Sequence, residues 1–316
     1  MMFLFVIVIS IVQGVTEFLP ISSSGHLVLT YSLFGVKGET LLLSIILHLS
    51  TLISVIIYYR KDILMLIKKP FCKTNKLLLV ATIPTVIFVL IFKGAIDNSF
   101  NGDLLIFGFI ITAILLGVAD YLTPESRKVS KNNFYTTETS LLITPQDSTQ
   151  NIKSRTNNKV YEENKGKIEP IKNNYKPKQI IENDITNLDI NYWQSMIMGL
   201  VQGFACFPAI SRSGSTISSA LIMKIKKEDA TKFSFLMSIP IIIGSLIMEL
   251  FTPNKESLTI NFALILLTFI LTALIGYFSI GLMSKVVKNS KLSYFSFYLL
   301  ALVFILLSAK FAVKFF

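Results

Sequence analysis

Six stretches of this chain, 41–59, 77–93, 103–122, 233–251, 260–283 and 293–313, are apolar and nearly free of charge. Each is close to the roughly 20 residues a helix needs to cross the hydrocarbon of a bilayer. They predict an all-α polytopic membrane protein with six transmembrane helices. The remaining composition agrees: 52% of the 316 residues are hydrophobic and 16% charged, and the mean hydropathy is +0.63, too apolar for a soluble globule. Met1 to Val12 is apolar but has no basic leader and no small-residue cleavage site, so it is not expected to be a signal peptide.

A formal charge of +11 invites a nucleic-acid reading, but the placement of the charge opposes it. Loops 60–76, 123–191, 224–232 and 285–291 hold 24 of the 30 Lys and Arg residues, whereas 94–102 and 252–258 hold Lys255 alone. Basic loops resist translocation and belong in the cytoplasm. The charge therefore sets orientation and favours anionic lipid, and no nucleic-acid partner is expected. Cys72 and Cys206 have neither disulfide nor metal-ligand spacing.

Alternation of six spans satisfies this charge pattern only if two further segments enter the membrane and return. Those segments carry an internal repeat. QGVTEFLPISSSGH, from Gln13 to His26, and QGFACFPAISRSGS, from Gln202 to Ser215, match at seven of fourteen positions without a gap, 189 residues apart. A full crossing of 193–223 would put Lys224, Lys226 and Lys227 on the face opposite Lys176 and Lys178. Two re-entrant helix hairpins, broken near Pro20 and Pro208, remove that conflict and leave an inverted-topology repeat with the breaks facing each other. Kinked ordinary spans with serines packing helices would not explain an acid, a base and an arginine at the two breaks.

Repeat 1 is expected over 1–122 and repeat 2 over 192–316. Between them, 123–191 is rich in Asn, Lys, Glu and Thr, with 11 basic and 9 acidic residues and no apolar periodicity. It reads as a disordered cytoplasmic linker. Ser140 to Thr144 is its one apolar cluster.

Gln13 and Glu17, four apart, share a helix face and offer oxygen ligands to Mg2+ or Ca2+. A carboxylate in the bilayer is costly, so Glu17 is a functional candidate, or else a buried partner of Arg212 that locks the halves together. Ser22, Ser23, Ser24 and Gly25 stand where the second hairpin helix begins, a place whose free amides bind phosphate. Ser211, Ser213 and Ser215 repeat this, and Arg212 adds a planar fork suited to phosphate oxygens. His26 can move a proton near neutral pH. One division of labour has Ser23 attacking, His26 as its base, Arg212 on the phosphoryl group, and Glu17 with Gln13 on the metal. Water activated by His26 or Glu17 is the other nucleophile. His48 reads as a buried helix-contact histidine, and Asp120 and Glu249 as solvated groups near span ends.

Together QGVTEFLPISSSGH, FPAISRSGST and FSFLMSIP (Phe233 to Pro240) resemble the undecaprenyl-diphosphatase family, the integral-membrane bacitracin-resistance phosphatases. The resemblance implies hydrolysis of a C55 polyprenyl diphosphate to the monophosphate and inorganic phosphate, with a divalent cation, Mg2+ or Ca2+. It also implies a plasma-membrane protein, two re-entrant hairpins in an inverted repeat, an outward-facing active site and a homodimer. The family's first motif falls on Gln13 and Glu17, its serine and histidine on Ser23 and His26, and its second motif on Ser211, Arg212 and Thr216. Two positions depart from the pattern. Many members carry Glu where this chain has Gln13, and Gly where it has Ala209; a positive backbone angle there would strain alanine. The rival readings are a transporter or flippase of a polyprenyl phosphate and a non-catalytic lipid-binding protein. His26 beside Ser23 favours chemistry.

Overall fold

The computed structural model describes residues 2–36, 41–99, 104–123, 185–251, 261–289 and 291–315, and no strand occurs among them. The helices are α1 (Met2–Thr16), α2 (Ser23–Leu33), α3 (Leu41–Tyr58), α4 (Arg60–Lys68), α5 (Lys73–Ser99) and α6 (Leu105–Leu122). After a 3-10 turn at Ile185–Asn187 come α7 (Tyr192–Phe204), α8 (Arg212–Ile222), α9 (Lys227–Leu250), α10 (Phe262–Asn289) and α11 (Ser293–Phe315).

Helix bounds recur at the 189-residue shift of the motifs. α8 begins and ends 189 residues after α2, and α10 begins 189 residues after α5. Local chemistry explains the recurrence. Ser22 caps α2 by accepting from the Gly25 amide, and Ser211 caps α8 by accepting from the Gly214 amide. Each hydroxyl satisfies an amide that a helix start leaves unpaired. At the other ends, Val36 N donates to Tyr31 O and Ile225 N to Ala220 O, around Gly35 and Lys224, both left-handed with φ of 66° and 63°. Both are Schellman turns.

Residues Met1–Thr123 and Asp184–Phe316 form one compact unit, and the two halves exchange partners within it. α5 packs along α7, and its counterpart α10 packs along α1. The main core gathers Phe18, Phe109, Leu116, Phe233 and Phe235, all nearly inaccessible, while Phe5, Ile9, Leu43 and Leu47 form a second cluster.

Among the described residues, four helices are long and apolar enough to cross a membrane: Lys73–Ile96, Leu105–Leu122, Lys227–Glu249 and Phe262–Lys288. The pair α3 and α4, bent by 77°, is apolar enough when taken together to be a fifth, as one broken span, or else a re-entrant loop. The expected span at 41–59 thus ends in that bend. Of the expected span at 293–313, Ser293–Ala309 is the apolar helical part and is shorter than the other spans. Leu266, Ile270, Leu274, Phe278 and Leu282 form an exposed apolar stripe at four-residue spacing along α10. Such a stripe has lipid as its natural solvent; the chain is a multi-pass membrane protein.

Residues 124–184, with the cluster Ser140 to Thr144, lie outside the described residues. The last part of the expected linker does not belong to it. Ile185, Leu188 and Ile190 are buried in the main core, Thr74 Oγ1 donates to Ile185 O at 2.6 Å, and Lys73 Nζ donates to Leu188 O at 2.9 Å. Three apolar side chains within six residues outweigh the polar composition around them.

Candidate active site

The breaks at Pro20 and Pro208 meet in a reciprocal manner. Ser24 Oγ accepts from the Ala209 amide at 3.2 Å, and Ser213 Oγ, 189 residues after Ser24, donates to Leu19 O at 3.2 Å. Backbone approach is close: a Cβ on Gly25 would lie 3.0 Å from the Ala209 Cβ and one on Gly214 3.1 Å from the Pro20 Cβ. These contacts bring the two motifs together as the sequence predicts.

Glu17 lies at the junction. Its Oε1 accepts from Arg212 Nη2, and its Oε2 accepts from the Ser23 hydroxyl at 2.6 Å and from Gln13 Nε2 at 3.3 Å. The Glu17 side chain is 4% exposed and that of Arg212 19%. Arg212 Nη1 and Gln13 Oε1 are buried without a hydrogen-bond partner. Glu17, Phe18, Arg212, Ser213, Ser234, Phe235 and Ser238 line a cavity of about 10 Å³, room for about one water. The result is a carboxylate with a hydroxyl and a guanidinium on its two oxygens, and an unused guanidinium nitrogen beside it.

Contrary to expectation, His26 does not hold the Ser23 hydroxyl. Its Nδ1 lies 2.7 Å from Ser22 O and its Nε2 2.8 Å from the Tyr298 hydroxyl. A carbonyl only accepts, so Nδ1 carries the proton and Nε2 is the basic nitrogen, taking the tyrosine's proton in the bond. The ring stacks on Tyr298 at 5.8 Å and meets the edge of Phe109 at 5.5 Å. These two residues are 189 apart, so each half supplies one wall.

Several hydroxyls expected to bind phosphate are committed elsewhere. Ser22 and Ser211 are helix caps, Ser24 and Ser213 tie the breaks together, and Thr216 Oγ1 donates to Arg212 O at 2.9 Å and pairs with Ser234 at 2.6 Å. Ser23 and Arg212 remain available at the junction, and the buried Ser215 hydroxyl also has no partner among the described residues. Sequence reasoning missed Thr112, whose hydroxyl accepts from Ser211 N at 2.9 Å, and Gly108, where a Cβ would sit 2.3 Å from Pro208 O. It also missed Tyr298. The 189-residue shift pairs Tyr298 with Phe109, but both look like ordinary span residues.

A second polar cluster joins α3 to α9. Ser44 Oγ donates to Glu249 Oε1 at 2.7 Å, and His48 Nδ1 lies 3.4 Å from Ser44 Oγ and 3.7 Å from Glu249 Oε1. His48 is the helix contact expected of it. Glu249, expected to be solvated, instead turns inward with its side chain 16% exposed.

Fold and site together define a helical multi-pass membrane protein in which a buried carboxylate and guanidinium meet between two repeated motifs. The chain belongs to the family described as bacitracin resistance protein BacA, whose profile matches residues 6–144 and 169–305. It is 34% identical over 313 residues to a protein of Carboxydothermus hydrogenoformans named undecaprenyl-diphosphatase, covering 98% of each chain. It is 33% identical over 308 residues to undecaprenyl-diphosphatase 4 of Bacillus thuringiensis subsp. konkukian, covering 96% of each. A relative of the same function name from Alkaliphilus metalliredigens is 32% identical over 317 residues, covering 92% of this chain and 93% of that one.

Proposed function

We propose that the protein hydrolyses undecaprenyl diphosphate to the monophosphate and inorganic phosphate, recycling a lipid carrier and conferring bacitracin resistance. The observation that carries the reading is the convergence of Ser23 and Arg212 on the two oxygens of Glu17, with Arg212 Nη1 left without a partner. Family membership agrees with it.

In this mechanism Arg212 Nη1 takes a terminal phosphoryl oxygen and offsets the charge that builds there. Ser23 Oγ attacks the terminal phosphorus while its proton passes to Glu17 Oε2. The bond to the bridging oxygen breaks and the polyprenyl monophosphate leaves. Water then attacks the phosphoserine, giving one proton to His26 Nε2, as the Oγ–P bond breaks and Ser23 Oγ recovers its proton from Glu17; His26 then passes its proton to the departing phosphate. Inorganic phosphate departs. Ser22, Ser24, Gly25, Ser211, Ser213 and Thr216 hold the two breaks in register around the phosphate.

Gln13 Oε1, buried and unpartnered one helical turn from Glu17, suits a hard cation that prefers oxygen. Among the described residues no cluster of three His, Cys, Asp or Glu side chains is present. A Mg2+ or Ca2+ held by Gln13 and Glu17 would therefore complete its shell with water and phosphate oxygens, and would supply further charge neutralisation.

The 189-residue recurrence of helix bounds and the exchanged packing support six spans and two re-entrant hairpins in an inverted repeat. Family likeness carries the outward-facing site, which hydrolysis of substrate added outside sealed, right-side-out vesicles checks. The decisive test is phosphate release from a polyprenyl diphosphate by purified protein, with and without chelator. Ser23→Ala should bind substrate and release nothing; a residual rate moves the attack to water. Lipid transport without phosphate release would overturn the enzyme reading.

A further inference from the structure

Three of the lysine-rich loops converge on a cavity that shares no lining residue with the one at Glu17. It has a volume of about 750 Å³ and sits between the bend from α3 to α4, the start of α9 and the last turns of α10. That is the size of a pocket for a molecule, not for an ion. Lys232, Lys285 and Lys288 line it. Lys232 is paired with Asp62 at 3.1 Å and Lys288 with Glu228 at 3.4 Å, whereas Lys285 is exposed and has no ion pair or hydrogen bond among the described residues. The cavity therefore carries one uncompensated positive charge.

Its walls are aromatic. Tyr58 meets Tyr277 edge to face at 5.3 Å, and both rings line the cavity. Gly281 lines it beside Tyr58, where a Cβ would make ordinary contact with the ring at 3.5 Å and a longer side chain would enter the cavity. Below the lysines the lining continues into Phe278 and Leu282, 69% and 53% exposed, which belong to the lipid-facing stripe of α10. A soluble anion uses the charge but not the apolar lower wall, and an apolar molecule leaves the ammonium unmatched. A phosphate joined to hydrocarbon matches both, with tyrosines at the level where the two meet.

We propose that this cavity binds the phosphate head of an anionic membrane lipid at the basic end of the protein. Two sources share that chemistry: a bulk anionic phospholipid, and a polyprenyl monophosphate like the one released at the active site.

The test is native mass spectrometry of the full chain, titrated separately with phosphatidylglycerol, phosphatidylcholine and polyprenyl monophosphate. Phosphatidylglycerol or polyprenyl monophosphate should bind the parent more tightly than phosphatidylcholine. Lys285→Glu should weaken that binding about tenfold or more, as expected for loss of a charge-assisted contact, while Lys285→Arg retains it. Gly281→Leu fills the cavity without changing charge and should give a similar loss, which keeps the test valid if Lys285→Glu does not fold. Dependence for phosphatidylglycerol alone assigns the site to bulk lipid, for polyprenyl monophosphate alone to the carrier, and for both to any lipid phosphate. Equal binding of each lipid by parent, Lys285→Glu and Gly281→Leu overturns the proposal. Phosphate release is measured separately, so a protein that turns over but lacks this dependence sinks the lipid site and leaves the phosphatase reading intact.

Discussion

The two hairpin helices after the breaks share a frame and differ in their surroundings. α2 and α8 each span eleven residues, start at a capping serine and end in the same left-handed turn. Yet eight residues of α8 are buried and only four of α2, because α6, α7 and α9 all pack on α8, whereas α2 leans chiefly on α1. Ser23 and His26 sit on the more open copy. The enclosed copy supplies the guanidinium, and Ser215, at the position of His26, is buried with an unpartnered hydroxyl. Repetition has built one scaffold twice; the proposed nucleophile and base sit on the less buried copy.

This contrast breaks most directly at the junction. Glu17→Gln and Arg212→Ala should each lower turnover by about a thousandfold or more, the scale expected when a group that offsets transition-state charge is lost. Each also leaves its buried partner unpaired, which costs on the order of 3–5 kcal/mol. The double variant Glu17→Gln with Arg212→Met separates the two effects. Thermal unfolding should recover toward the parent while phosphate release stays absent. Recovery of both would reduce the ion pair to a lock between halves.

A smaller effect is expected at Tyr298. Tyr298→Phe removes the bond to His26 Nε2 but leaves the Ser22 carbonyl holding Nδ1 and the ring stack in place. About tenfold in kcat is expected, with unchanged stability. A loss as large as that of His26→Ala would make the tyrosine a catalytic residue.

The reciprocal serines should behave alike, as parts of the shared frame. Ser24→Ala and Ser213→Ala each remove one bond between the breaks, a loss of about 1 kcal/mol, with turnover within a few-fold of the parent. If Ser24→Ala loses turnover but not stability, its hydroxyl belongs on the phosphate.

What the sequence could and could not reveal follows the same division. The motifs are local and repeated, so both breaks and the meeting of Glu17 with Arg212 were legible, whereas Ser22 and Ser211, expected on the phosphate, turned out to be caps. The partner of His26 was not legible. Ser23 and His26 are one turn apart on a helix, which made their pairing a natural expectation, but the Ser22 carbonyl four residues back takes Nδ1 and Glu17 takes the hydroxyl. Thr112, Gly108 and Tyr298 act through long-range packing of apolar helices, where a threonine, a glycine or a tyrosine looks like any span residue. Glu249 was misjudged for the same reason, because its neighbour Ser44 lies 205 positions away.

The least effect is expected where the second break departs from the family pattern. Ala209 has φ of 61°, the angle anticipated from the glycine usual there, and a left-handed residue with a Cβ carries about 1–2 kcal/mol of strain. Glycine would relieve that but gains freedom in the unfolded chain, an opposing term of about 0.5–1 kcal/mol. Ala209→Gly should therefore stabilise by less than about 1 kcal/mol, a rise of roughly 1–3 °C in thermal midpoint for a chain of this size. Lys224→Gly is the control: Lys224 has φ of 63° at the position where the first hairpin has Gly35, and its substitution should give a similar rise away from the site. A rise at Lys224 with a fall at Ala209 would show that the Ala209 methyl, packed in the gap left by Gly25 and Gly108, contributes more than its backbone angle costs.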